Sequence, residues 1–196
     1  MNIIRLPLQR QRNRALVCFV DLQVEYVSPG RALAVEQTEP WTSNCRRLLG
    51  FARQLRLPIA HFRQLRRDTF LNPATPFAAW IEEFRPRPSE MVFERALPSC
   101  YSAAGFAAVT DNIDHPLLLI AGLMSSGACL ATALDGFHRG HSALFVHDAS
   151  WSPPIGETSA ERANAFSAEL IGQFCEVMST DSLMEWLSRE SIGIAS

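Results

Sequence analysis

"HPLLLIAGLMSSGACLATALDGFHRG", residues 115–140, decides how the fold is read: an apolar run gives way to a turn of small residues and then to a helical pattern. A continuous apolar run, with no alternation of polar residues, is what a strand covered on both faces requires. Beyond the turn, Leu130, Ala133, Leu134 and Phe137 recur at spacings of three, four and seven, so they share one helix face. Ser125 or Ser126 stands where an N-cap would serve that helix.

The same grammar extends in both directions. Short apolar runs at 15–20, 57–62, 91–93, 116–121, 142–147 and 176–179 read as strands. Between them, helix-length segments fall near 41–56, 76–84, 102–112, 126–139, 158–174 and 180–189. Apolar strands separated by helices predict a three-layer α/β/α domain around a central, mainly parallel, six-stranded sheet of Rossmann-like type. Residues 1–13 read as a flexible basic N-terminal arm and 14–196 as a single domain. Segment 64–90, rich in proline and arginine, reads as a long connection that would cover a site.

Composition narrows the function classes. All 18 basic residues are arginine, which leaves out Schiff-base and lysine-base chemistry. A net charge of −2 gives no general attraction to nucleic acid or to an anionic membrane, and no apolar run is long enough to span a bilayer. A small-molecule partner is expected. The five cysteines show no CxxC spacing, so neither a disulfide framework nor a zinc site is signalled, and a reducing cytoplasm fits best. No cofactor is expected.

In an open parallel sheet, ligands bind beyond the carboxyl ends of the strands. That rule selects Asp21, the Glu94–Arg95 pair, and the turn 122–129, whose backbone N–H groups at a helix start would favour an anion.

These positions resemble the motifs of the isochorismatase-like hydrolase superfamily over roughly residues 14–187. "VDLQVEY" is similar to its first motif, with Asp21, Gln23, Glu25 and Tyr26. "RALPSCY" resembles the second and puts Arg95 where the family has lysine. In the third, the nucleophile column falls on Ala128, and Cys129 occupies the next position, where an apolar residue packs inward. A small residue in that column is similar to the isochorismatases proper rather than to the nicotinamidases.

The resemblance implies a fold of that superfamily and hydrolysis of a small carboxylated vinyl ether, with Asp21 as general acid and no acyl-enzyme. It implies that Gln64 lies beside the substrate and that the chain forms a homo-oligomer; Gln23, Tyr101, Met124, Ser125 and Gly127 are read with it as substrate-binding residues, Tyr101 as a pocket-lining aromatic and 124–128 as backbone that would hold an anion. A nicotinamidase-type metal cluster is not expected, since the region after the second strand offers only His61 and Asp68. Two alternatives stand beside this reading. One is a catalytically degenerate member that binds a small molecule or partner, and the other is an amidase using Cys129.

The lysine-to-arginine change adds its own expectation. A guanidinium beside Asp21 lowers the pKa that a general acid needs raised, while its fork suits a substrate carboxylate.

Overall fold

A computed structural model describes residues 14–35, 38–67, 70–113 and 116–189. The arm expected at 1–13 and Asp68 lie outside the described residues. The strands are β1 (Ala15–Val20), β2 (Ile59–Gln64), β3 (Met91–Arg95), β4 (Leu117–Leu123), β5 (Ala143–Trp151) and β6 (Glu176–Met178). The helices are α1 (Trp41–Gln54), α2 (Phe106–Asn112), α3 (Leu130–His138), α4 (Ala160–Ile171) and α5 (Thr180–Ser188). All six strands are parallel, in the order β3-β2-β1-β4-β5-β6. The chain winds outward from β1 in one direction and from β4 in the other, so the crevice between them is where a ligand site is expected.

Alternation along β1 sorts the core into two layers. Val17 and Phe19 pack with Trp41, Cys45 and Leu48 of α1 and with Leu183 and Leu187 of α5. Leu16, Cys18 and Val20 face Phe106 of α2, Ala133 of α3 and Ile171 of α4. Leu117, Leu118, Leu119 and Ile120 of β4 are each 0% exposed. Each contributes on the order of 2 kcal/mol of burial.

The helix expected at 76–84 does not form. Two single 3-10 turns, Pro76–Ala78 and Glu82–Phe84, flank an extended Trp80 that bridges to Gln23. Val24 N donates to Ala79 O at 3.0 Å and Ile81 N to Leu22 O at 3.0 Å. These bonds to the chain leaving β1 use the backbone groups that a helix would have needed. The helix expected from 102 starts only at Phe106, after Gly105 with φ of 84°. Neither Ser125 nor Ser126 caps α3. The chain enters it through a wide π-type turn, Ser125–Cys129, and both hydroxyls bond elsewhere.

Candidate active site

The two central strands are brought together by a glycine. Val20 of β1 lies opposite Gly122 of β4, whose φ is 113°. A Cβ on Gly122 would sit 2.2 Å from the Val20 carbonyl oxygen and 2.8 Å from its nitrogen. Only glycine lets the backbones approach so closely. One residue past Val20, Asp21 adopts φ of 51°, in the left-handed region that aspartate tolerates better than most residues. Its N–H donates to Phe62 O at 2.8 Å, which ties the end of β1 to β2.

From the end of β3, Arg95 reaches across β2 to Asp21. Its Nη2 donates to Asp21 Oδ2 at 2.5 Å, and its Nη1 donates to the Leu97 carbonyl at 2.6 Å. Asp21 is 1% exposed and Arg95 4%. Asp21 Oδ1 and Arg95 Nε are buried without a hydrogen-bond partner. Burial pushes the Asp21 carboxyl up to about 6, although the charge and hydrogen bond of Arg95 and the backbone N–H of Gln64 pull it down. The expected lowering by the guanidinium is therefore outweighed by desolvation. Burial works against the charge of Arg95 as well, but the Asp21 carboxylate more than offsets it and Arg95 ends above its ordinary value. The fork offered by the sequence to a substrate carboxylate is spent inside the protein, on Asp21 and Leu97.

Beside Asp21, β4 opens into the Ser125–Cys129 turn. The Leu123–Met124 peptide is cis. The Met124 carbonyl accepts from Gly127 N at 3.0 Å and from Cys129 N at 3.2 Å. Ser125 is buried and its hydroxyl donates to Asn164 Oδ1 at 2.7 Å, while Ser126 accepts from the Ser152 hydroxyl at 2.7 Å. A Cβ at Gly127 would meet nothing within 4 Å, so the turn is open there.

Ala128 supplies only a methyl group. Cys129 is fully buried, with its thiol directed at the Gly122 carbonyl 3.6 Å away, and burial pushes that thiol well above its ordinary value. The thiolate is the nucleophilic form, and this setting disfavours it.

Three residues assigned to substrate make their principal contacts inside the protein. Gln23 is 0% exposed, and its Nε2 donates to the carbonyls of Gln64 (3.1 Å) and Ala78 (3.0 Å). Its Oε1 accepts from Gln64 N at 2.9 Å. It staples β1, β2 and the 64–90 connection. The Gln64 amide lies at the surface, donating to Ala96 O at 3.3 Å. The Tyr101 hydroxyl is paired with His141 Nδ1 at 2.6 Å and its ring packs on Phe106.

Tyr26, quoted in the first motif but given no role, is the residue the sequence reading passed over. It is 2% exposed, and the charges of Asp21 and Arg95 act on its hydroxyl. Its signal was its motif position five residues after Asp21.

His61 is held away from this cluster. Its Nε2 pairs with Glu90 Oε2 at 2.8 Å, and Glu90 in turn accepts from Arg53 Nε at 2.7 Å and Arg87 N at 2.9 Å. Among the described residues no three His, Cys, Asp or Glu side chains converge as metal ligands.

An isochorismatase domain model matches residues 14–182. The fold is similar to that of an isochorismatase from Pseudomonas putida KT2440, with 24% identity, a TM-score of 0.81, and coverage of 88% of this chain and 91% of that one. It is also similar to a cysteine hydrolase from Pseudomonas syringae pv. phaseolicola 1448A, with 21% identity, a TM-score of 0.80, and coverage of 95% and 97%. An isochorismatase-like hydrolase from Alkaliphilus metalliredigens matches at 13% identity with a TM-score of 0.78, over 88% and 98% of the two chains. At these identities the likeness is one of fold. No curated protein sequence matches.

Proposed function

The chain belongs to the isochorismatase family, and from that premise we propose that it hydrolyses a small carboxylated vinyl ether of the isochorismate type by acid catalysis from Asp21, without a covalent intermediate. The observation that carries this reading is the division of labour within one carboxyl group. Oδ2 is held by Arg95, and Oδ1 is buried without a side-chain partner. With the carboxyl raised to about 6, roughly a tenth of the molecules carry the proton at pH 7. That proton resides on Oδ1, since Oδ2 already accepts from the guanidinium.

The chemistry is that of an enol ether. Asp21 Oδ1 gives its proton to the terminal methylene carbon, and positive charge develops on the adjacent ether carbon. Water adds there, and the resulting hemiketal breaks into pyruvate and the free alcohol. Asp21 recovers a proton from the added water. Arg95 supports the carboxylate left behind after proton transfer, a role that a fixed buried cation fills without reorganisation. The backbone at 124–128 faces the substrate's carboxylate. Ala128 forms no acyl-enzyme, and Cys129 points into the core. Five buried free thiols fit a reducing compartment such as the cytoplasm.

A second reading is favoured by one observation, the sealing of Asp21 Oδ1 from solvent in the resting chain. A family member that binds a small molecule without turning it over would tolerate such a seal. Assay of isochorismate hydrolysis by the parent, D21N and C129V separates the readings. Acid catalysis requires a parent rate that is lost in D21N and retained in C129V. A parent without turnover whose melting temperature rises with isochorismate supports the binding protein, and a parent that instead hydrolyses a small amide, with that activity lost in C129V, supports a cysteine amidase.

A further inference from the structure

Asp21, Glu25, His61, Arg95 and Trp151 each bury a side-chain polar atom that has no side-chain partner. In the first four a second polar atom is hydrogen-bonded: Asp21 and Arg95 hold each other, Glu25 accepts from Arg31, and His61 pairs with Glu90. Trp151 is different. Its indole N–H is the one polar group that its side chain has, and it is buried without an acceptor. The residue as a whole is only partly buried, so part of the ring meets solvent while the N–H turns inward. A buried donor left unpaired destabilises a fold, and its presence calls for an acceptor from elsewhere.

The sheet says where that acceptor comes from. Trp151 is the last residue of β5 and pairs with Leu123, the last residue of β4. Asp21 follows Val20, which pairs with Gly122 on the other side of β4. Asp21 and Trp151 therefore flank the end of β4, two strand spacings or roughly 10 Å apart. Tyr26, whose hydroxyl feels the charge of Asp21, belongs with Leu123 to the apolar layer that faces α1 and α5. Met124 and Trp151 pack against that same layer. The acid and the unused donor thus bracket the carboxyl edge of one strand.

We propose that Trp151 is a specificity-determining residue of this site, its N–H donating to the ring carboxylate of the substrate while Asp21 protonates the enol ether. The assignment rests on the vinyl-ether reading above. Isochorismate carries one carboxylate on its enolpyruvyl group and another on its ring. The backbone at 124–128 takes the first. For the second, Arg95 is not free, since its Nη atoms are held by Asp21 and the Leu97 carbonyl, and the chain has no lysine. An N–H in apolar surroundings donates strongly to a carboxylate once water is excluded. It selects against an enol ether without the ring carboxylate, which would leave the donor unpaired in the complex.

Isothermal titration on the D21N background, where ligand is not consumed, tests this. The two probes are isochorismate and the enolpyruvyl ether of cyclohexanol, which keeps the ether and its carboxylate but lacks the ring carboxylate. W151F removes the N–H and keeps an aromatic ring. It should weaken isochorismate about tenfold or more and leave the cyclohexyl ether within about twofold. Placing 3-benzothienylalanine at position 151 exchanges the N–H for sulfur in a ring of the same shape. It should give the same selective loss, and it carries the test if circular dichroism shows W151F to be unfolded. Equal weakening of both probes marks lost packing and overturns the proposal, as do an unchanged affinity for isochorismate and an absence of isochorismate binding. Selective loss in a chain whose parent does not turn isochorismate over supports the contact and overturns acid catalysis alone. Turnover by the parent without selective loss overturns the contact alone.

Discussion

Replacing Gly122 with alanine tests the packing that sets Asp21 beside the β4 turn. The new Cβ would lie 2.2 Å from the Val20 carbonyl oxygen and 2.8 Å from Val20 N, both backbone atoms of a buried central strand. Neither can swing aside as a flexible side chain would. The φ of 113° adds a conformation costing an L-residue about 1–3 kcal/mol, and overpacking adds about 1–3 kcal/mol more. Displacing β4 also loosens the 3.2 Å bond from Gly122 N to the Ser150 hydroxyl. The expected loss is about 4 kcal/mol, read as a lower urea midpoint at unchanged m-value. Gly50 provides the internal control. It lies within α1, a Cβ there meets nothing within 4 Å, and G50A should gain about 0.5–1 kcal/mol. A loss below about 1 kcal/mol in G122A, with G50A behaving as expected, would refute the close-approach argument.

Two further outcomes follow from burial. All five cysteines are buried, so a thiol reagent applied to the native protein should find no fast-reacting group and should find five after unfolding. A rapidly labelled Cys129 would contradict the placement of its thiol against Gly122 O. Burial favours the neutral form of Glu90, yet hydrogen bonds from Arg53, Arg87 N and His61 hold its carboxyl down at about 2 against an ordinary 4.5. Its contribution is thus fully present above about 4.5 and lost as pH falls toward 2. The parent's melting temperature should fall more steeply than that of E90Q between pH 5 and 2.5, and parallel curves would show that the Arg53–Glu90–His61 network adds nothing.

The strands were legible because a strand covered on both faces must be apolar throughout, as Leu117–Ile120 are. The position of Asp21 followed from the same logic, since the end of an apolar run in a parallel sheet is the rim of the crevice. The extended Trp80 was hidden for a different reason. Its conformation depends on bonds between Ala79 and Val24 and between Leu22 and Ile81, which only the assembled fold supplies. Gln23 reads as a ligand for substrate because a glutamine two residues after Asp21 carries no mark in the sequence of what its amide will meet. The sign of the Asp21 shift was equally hidden. Sequence places a guanidinium near the carboxyl but says nothing of how completely water is excluded from both.

The measurement that bears most directly on acid catalysis is the pH dependence of kcat/KM for isochorismate. With Asp21 active only when protonated, and its carboxyl raised to about 6, the rate should be level below that pH and fall about tenfold per unit above it. D21N should show no rate at any pH. A profile that stays flat from pH 5 to 8, or a rate that persists in D21N, would contradict the assignment of Asp21 as the general acid.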